Sequence, residues 1–510
     1  MTEPLFHKSL IHQLEERYPF FDTHEIQILM RCHESLSKSA PDDDFLLQMA
    51  LASPYAHFFL PGDEMKDRIG WIEKDILPTG FAKDIESSVS IDVSEEESDD
   101  THLMIASSSA SLERFIEDVA DAGGFRGKRE AFHALCRLSG KDSSPNHIIQ
   151  LAISLAVADE ALMAPNLDKE AAPQKAQKFQ PLIDAMTQEA SLYLQSHTPS
   201  DNTFLTWMEK NFPLLTAPLS SFVHHLLFHE HPSPRDAGVL PFQLPILDKE
   251  TDVFVGKSAN HLMALSFMKN DLGGPWHRVY SSNHDGRSFN RLEWSLLGYG
   301  GPTMLVATTR QGATIGAFTT VPWKETNHFY GSPDCFLVEL DPRIRVHRPV
   351  GGEDHFMFLY SSKVSSDIPE SQQGQEVAYG LGFGGSLEKP RFFIPETLEH
   401  CSADFMDKTF EPGDLLPPYA MERFEILHLE VWGVGGSQEV IDQALRARAK
   451  HREMEQATLE RARTIQDRTI FAHDLQSGLV LNHLFDHQKD VRGRQDFRVD
   501  DKHGGYVVEK

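Results

Sequence analysis

Cys335 and His328 stand close together in the segment 312–340, GATIGAFTTVPWKETNHFYGSPDCFLVEL, with Trp323 and Asp334 beside them. A thiol and an imidazole in one segment are the components of a nucleophile–base pair. Cys335, however, alternates with Asp334 and Phe336 as residues of a strand do, and a small cysteine packs there as an apolar side chain. No G-x-S-x-G elbow and no matched acid accompany the pair. The segment therefore reads as scaffold and surface, and no catalytic residue is expected.

Two other patterns invite chemistry. In HHLLFHEH, His224–His231, His225 and His229 lie four apart on one helix face. A zinc site of the H-E-x-x-H kind needs Glu directly after the first His, and Leu226 stands there. The imidazoles are better explained by the negative end of a helix. GLGFGG, Gly380–Gly385, fits G-x-G-x-x-G, but a dinucleotide loop must open a helix. The next residues, SLEKPRFFI, read as another strand, so the glycines mark a turn or bulge. Acidic runs such as PDDDF, Pro41–Phe45, lack the ligand order of a calcium loop. Neither a metal nor a cofactor is expected.

The elements that hold these residues are set within a chain of 510 residues, long enough for several domains. Its 76 acidic and 48 basic residues give a formal charge of -28. That balance excludes nucleic-acid binding by general electrostatics and attraction of the whole chain to anionic lipid. The four cysteines, Cys32, Cys136, Cys335 and Cys401, are too far apart for a disulfide framework or zinc ribbon. No run reaches the roughly 18 apolar residues of a membrane span. The N-terminus has no signal-peptide pattern, and Thr2 occupies the place a myristoylated glycine would need. A cytoplasmic protein without a transmembrane segment is expected.

Residues 1–85 read as helical, with a capping box from Asp22 to Glu25 ahead of Ile26, Leu29 and Met30 at helical spacing. An acidic, serine-rich stretch, 86–111, cannot build a core and reads as a linker, with Ser94 and Ser98 as possible phosphorylation sites. Residues 112–235 return to helix, with Trp207, Phe212 and Leu214 as core candidates. From 240 to 436, TMLVATT, ATIGAFTT, CFLVEL, HFMFLY, RFFI and FEILHLEVWG are strand-like runs bounded by turn residues. Residues 437–485 form a charged helix with Ser437 as N-cap, and its apolar positions are too sparse for an ordinary core face. Residues 486–510 read as a flexible tail. The fold class is α+β: a helical region, a β-sandwich flanked by short helices, and a long C-terminal helix.

The β-rich part resembles the TLDc domain family. WHRVYSSNHDGRSFNRL resembles its opening, with Asp285, Gly286, Ser288 and Phe289 at the start of a short helix. GPTMLVATTRQGATIGAF resembles its central hairpin, with Gly316 and Phe318. Trp323, Phe329, Tyr330 and Gly331 come next, then Asp334, where the family commonly has Glu. GLGFGG, with Gly382, Gly384 and Gly385, corresponds to the glycine-rich strand, and LEVWG, with Glu430, Trp432 and Gly433, to the close. The layout also resembles a subgroup with a degenerate EF-hand-like helical region, here 112–235, and a C-terminal helix.

The resemblance implies a non-enzymatic protein that binds the soluble catalytic sector of the vacuolar proton-pumping ATPase and regulates its assembly or activity. It also implies a link to oxidative-stress resistance and a peripheral place at the lysosome or vacuole membrane. On this reading Gly316 and Gly331 shape turns, Phe318, Phe336 and Leu337 fill the sandwich, and Trp323, Phe329 and Tyr330 form an aromatic contact patch. Asp334 either caps a turn or meets a partner's basic group. Arg446, Arg448, Lys450, Arg452, Arg461 and Arg463 of the terminal helix would supply a second contact. The competing reading is a thiol-based antioxidant protein using Cys335 or Cys401.

Overall fold

The computed structural model describes residues 3–39, 100–139, 144–163, 178–197, 201–228, 242–362, 378–417, 423–435, 438–464, 497–500 and 505–508. The chain divides into two units, one of residues 1–245 with 257–273, the other of 246–256 with 274–510.

The first unit is helical. It contains α1 (Glu3–Arg17), α2 (Thr23–Ser39), α3 (Asp100–Ala122), α4 (Lys128–Leu138), α5 (Pro145–Met163), α6 (Gln180–Ser196), α7 (Asp201–Asn211), α8 (Ala217–Phe228) and α9 (Ser258–Met268). The expected capping box opens α2: the Glu25 amide donates to Asp22 Oδ1 at 2.8 Å, and the Asp22 amide to Glu25 Oε2 at 2.7 Å. Two orphan donors are thereby satisfied. Helix α5 is buried at Ile148, Ile149 and from Leu151 to Val157, and it packs against both α6 and α8. An apolar helix of this kind is stable only with cover on several sides. Trp207 and Phe212 are core residues, as their sequence suggests, whereas Leu214 is half-buried.

Two boundaries differ from the sequence reading. Residues 100–111 belong to α3 rather than to a linker. Serine content suggested a loop, but neither glycine nor proline interrupts 100–122, so nothing breaks the helical ladder. Residues 40–99, which hold the rest of the expected N-terminal helical region and most of the expected linker, and His229 to His231 lie outside the described residues. The second difference is α9, which stands between strands in sequence yet belongs to the helical unit. Its residues Met263 to Met268 are all buried, and the Leu214 amide donates to the Phe267 carbonyl at 3.1 Å.

The second unit is a β-sandwich. One sheet has seven strands, ordered β1 (Pro245–Leu247), β2 (Gly274–Ser281), β11 (Ile426–Gly433), β3 (Thr303–Thr309), β4 (Thr314–Thr319), β5 (Phe336–Asp341) and β6 (Arg345–His347). The other is ordered β10 (Ser402–Ala403), β9 (Phe392–Pro395), β8 (Gly380–Phe383) and β7 (Phe358–Tyr360). Helix α10 (Phe289–Leu297) comes after β2. Leu305, Ala307, Ile315, Ala317 and Leu337 of the large sheet share one core with Leu359, Leu381, Phe383 and Ile394 of the small one. The strand period of two explains this selection. Leu337 faces the small sheet, while Phe318 and Phe336 stack on each other at 5.1 Å outside that shared core.

Beyond the sandwich runs α11 (Gln438–Thr464). Ser437 and residues 465–485 lie outside the described residues. The tail is not wholly irregular, because β12 (Phe497–Asp500) and β13 (Gly505–Val508) pair antiparallel. Val499, Tyr506, Val507 and Val508 suit strands, and the sequence between them is polar with glycines.

Candidate functional site

The segment 320–335 leaves β4 and lies along the small sheet. The Thr326 amide donates to the Leu359 carbonyl at 2.8 Å, and Tyr330 exchanges backbone bonds with Met357 at 2.9 and 3.0 Å. The segment thus covers the edge of β7, which would otherwise present unpaired backbone groups. Trp323 is buried, so it belongs to the core and not to a contact patch. Its Nε1 donates to Thr303 Oγ1 at 2.9 Å and its ring meets Phe383 edge-on. An indole can be buried here because this bond satisfies its one donor.

Phe329 and Tyr330 remain at the surface, both half-buried. Phe329 stacks on the His355 imidazole at 4.4 Å. Tyr330 Oη accepts from the Lys324 amide at 2.8 Å and donates to the Lys324 carbonyl at 3.1 Å, and the Lys324 ammonium lies 4.6 Å over its ring. Burial raises the Tyr330 phenol above its usual range, so it stays neutral. Asp334 is exposed, its amide bonded to Ser332 Oγ at 3.2 Å, and its charge acts on Arg348 of the same chain. Gly331, with φ of 135°, is exposed just before the turn at 333–334, and Gly316 sits in mid-strand β4 rather than at a turn.

Cys335 and His328 have opposite environments: the thiol is in the core and the imidazole is exposed. None of the four cysteines is in a disulfide. Burial pushes the Cys401 thiol up to about 12, and Cys32 likewise. A reactive thiol needs the reverse, a lowered pKa and access.

GLGFGG forms β8 and the turn after it. Gly384 and Gly385 lead through 386–391 into β9, with no helix N-terminus there to hold a pyrophosphate. The Asp285 carboxylate accepts from the Ser281 amide at 3.0 Å and so closes the turn after β2. Tyr280 donates to the Gly286 carbonyl at 2.8 Å, Ser288 is the N-cap of α10 without a side-chain cap bond, and Phe289 is buried. At the other end of the pattern, Glu430 is fully buried. It accepts from Thr251 Oγ1 at 2.6 Å, the Asp252 amide at 2.9 Å and Trp432 Nε1 at 3.0 Å. These residues tie the segment before α9 to the sheet, and their role is structural. A Cβ on Gly433 would lie 2.3 Å from the Tyr299 ring, so the close approach of backbone to ring requires glycine.

A polar cluster escaped the sequence reading. Arg391, His347 and Thr409 are buried, as is the side chain of Asp407, and Arg391 and His347 meet the carbonyls of Gly413 and Glu411. Arg391 stands in the run KPRFFI, where one charge beside a strand looks like an edge residue. Only its buried Asp407 partner, distant in sequence, reveals otherwise. On α11, Arg446 and Lys450 are exposed, and Arg448, Arg452, Arg461 and Arg463 share that helix.

Residues 249–435 match the family described as TLDc domain. The chain carries a TLDc domain. Over 166 residues it is 31% identical to MTOR-associated protein MEAK7 of Xenopus laevis, a match covering 32% of this chain and 33% of that protein. It is 29% identical over 160 residues to Nuclear receptor coactivator 7 of Homo sapiens, covering 31% and 15%. Oxidation resistance protein 1 of Xenopus tropicalis is 32% identical over 130 residues, covering 26% and 14%. The likeness thus spans a third or less of each of these relatives. The glycines, aromatics and Glu430 of the sequence pattern are in that TLDc domain, and most of them build its sandwich.

Proposed function

We propose that this is a non-enzymatic TLDc protein that binds the soluble catalytic sector of the vacuolar proton-pumping ATPase and regulates its assembly or activity. The observation that carries this reading is the TLDc domain itself, with its signature residues spent on packing and its thiols buried. The likeness to Oxidation resistance protein 1 supports a link to oxidative stress for this chain as well. Among the described residues no helix is long and apolar enough to cross a membrane, which suits a cytoplasmic protein placed peripherally at a lysosome or vacuole. Half-buried Phe329 and Tyr330 with exposed Asp334 offer one contact, and the basic side chains of α11 a second one. Two linked contacts raise avidity without either being tight.

The test is affinity purification of the full chain from its own cells, with and without ATP, read by mass spectrometry. Recovery of pump catalytic-sector subunits supports the reading, and Arg446→Glu with Lys450→Glu should reduce it. Their absence from every condition overturns it. The name of MEAK7 suggests a second reading, association with an mTOR-type kinase assembly. Recovery of that kinase without pump subunits would favour it. The antioxidant reading is opposed by the burial of Cys335 and Cys401.

A further inference from the structure

The first turns of α11 touch the sandwich. Val440 and Ala444, one helical turn apart on the same face, pack half-buried against its core. Ala444 and Leu445 form one wall of a small groove. His277 and Val279 of β2 form the other wall with Trp294, Ser295 and Gly298 at the end of α10. The contact is slight, since Leu445 remains 44% exposed within it. Beyond it Arg446, Lys450, Glu453, Met454 and Glu460 are exposed. Gly435, with φ of 60°, lies between β11 and the helix, in a conformation that most side chains would resist.

We propose that residues 440–445 are a releasable strap: the groove between β2 and α10 seats the first turns of this chain's own α11, and release frees the basic helix and uncovers Trp294. The occupant is the chain itself, seen in place. A contact of two half-buried small side chains favours the seated over the released helix by a factor on the order of ten. The released form is therefore a minor but accessible population. Its value to the protein rests on the proposed second contact of α11, whereas its existence does not.

Amide hydrogen exchange on the full chain alone, with no partner added, separates the two questions. Without a seat, amides near a helix end exchange faster than those in its middle. The strap predicts the opposite order, with Asp442–Arg446 protected about tenfold over Lys450–Glu460. Val440→Asp should abolish that protection and speed exchange at Trp294–Gly298. Should Val440→Asp unfold the unit, Ala444→Glu decides, because glutamate keeps the helix propensity high while placing a charge in the groove. Uniform exchange along α11, or protection unchanged in Ala444→Glu, overturns the seat. Protection of Asp442–Arg446 equal to that of β3 overturns release, since the helix would then open only when the whole unit unfolds.

Discussion

Arg391 Nη1 donates to Asp407 Oδ1 at 3.0 Å, with both side chains withdrawn from solvent. Asp407 Oδ2 also accepts from the amides of Gly385 and Thr409 at 3.1 and 3.0 Å, and Arg391 Nη2 donates to the Gly413 carbonyl at 2.9 Å. One ion pair thus ties the glycine turn after β8 to the 407–413 loop. Asp407→Ala strands a buried guanidinium, and urea unfolding should show a loss of about 3–5 kcal/mol. Combining Asp407→Asn with Arg391→Met removes both charges and should recover much of that loss.

His347 beside this pair should make the domain acid-sensitive. Its Nδ1 lies 3.1 Å from the Glu411 carbonyl and 3.4 Å from the Arg391 guanidinium. Burial, then Arg391, Arg345 and Arg343, push the imidazole from 6.5 down to about 3. A depressed folded pKa means that stability from keeping the ring neutral is complete above about 6.5 and is lost as pH falls toward about 3. The slope from this one group is at most about 1.4 kcal/mol per pH unit. Unfolding measured at pH 7 and pH 5 should show a smaller difference in His347→Gln than in the natural chain. Equal differences would remove His347 as the cause.

Gly433→Ala should destabilise the domain by about 1–3 kcal/mol, the usual cost of overpacking. The added methyl would collide with the Tyr299 ring. Shortening that ring in Tyr299→Leu should lessen the cost of Gly433→Ala, and a double-mutant cycle on thermal unfolding reads the coupling. Additive effects would mean that the ring is not what the methyl meets.

The thiols should be slow. Disulfide-exchange labelling of the folded chain should modify half-buried Cys136 first, with Cys32, Cys335 and Cys401 reacting only on unfolding. Rapid modification of Cys335 or Cys401 in the folded chain would restore the antioxidant reading.

The strands were legible in advance because their information is local. TMLVATT is β3, ATIGAFTT contains β4, and FEILHLEVWG contains β11, each a run of β-branched and aromatic residues between turn formers. The capping box of α2 was legible for the same reason, as donor and acceptor are three residues apart. GLGFGG could be kept from a nucleotide reading because the residues after it do not form a helix.

What the sequence alone could not decide was which side of a residue would be covered. Trp323 reads equally well as an exposed anchor or a core ring until Thr303, twenty positions earlier, accepts its indole proton. The apolar run of α9 gives no sign that it belongs with the helices rather than the strands around it. Arg391 and Asp407 look like surface charges until folding brings them together and excludes water. Periodicity records which residues share a face. Burial and pairing depend on what tertiary packing lays against that face, and those partners are distant in sequence.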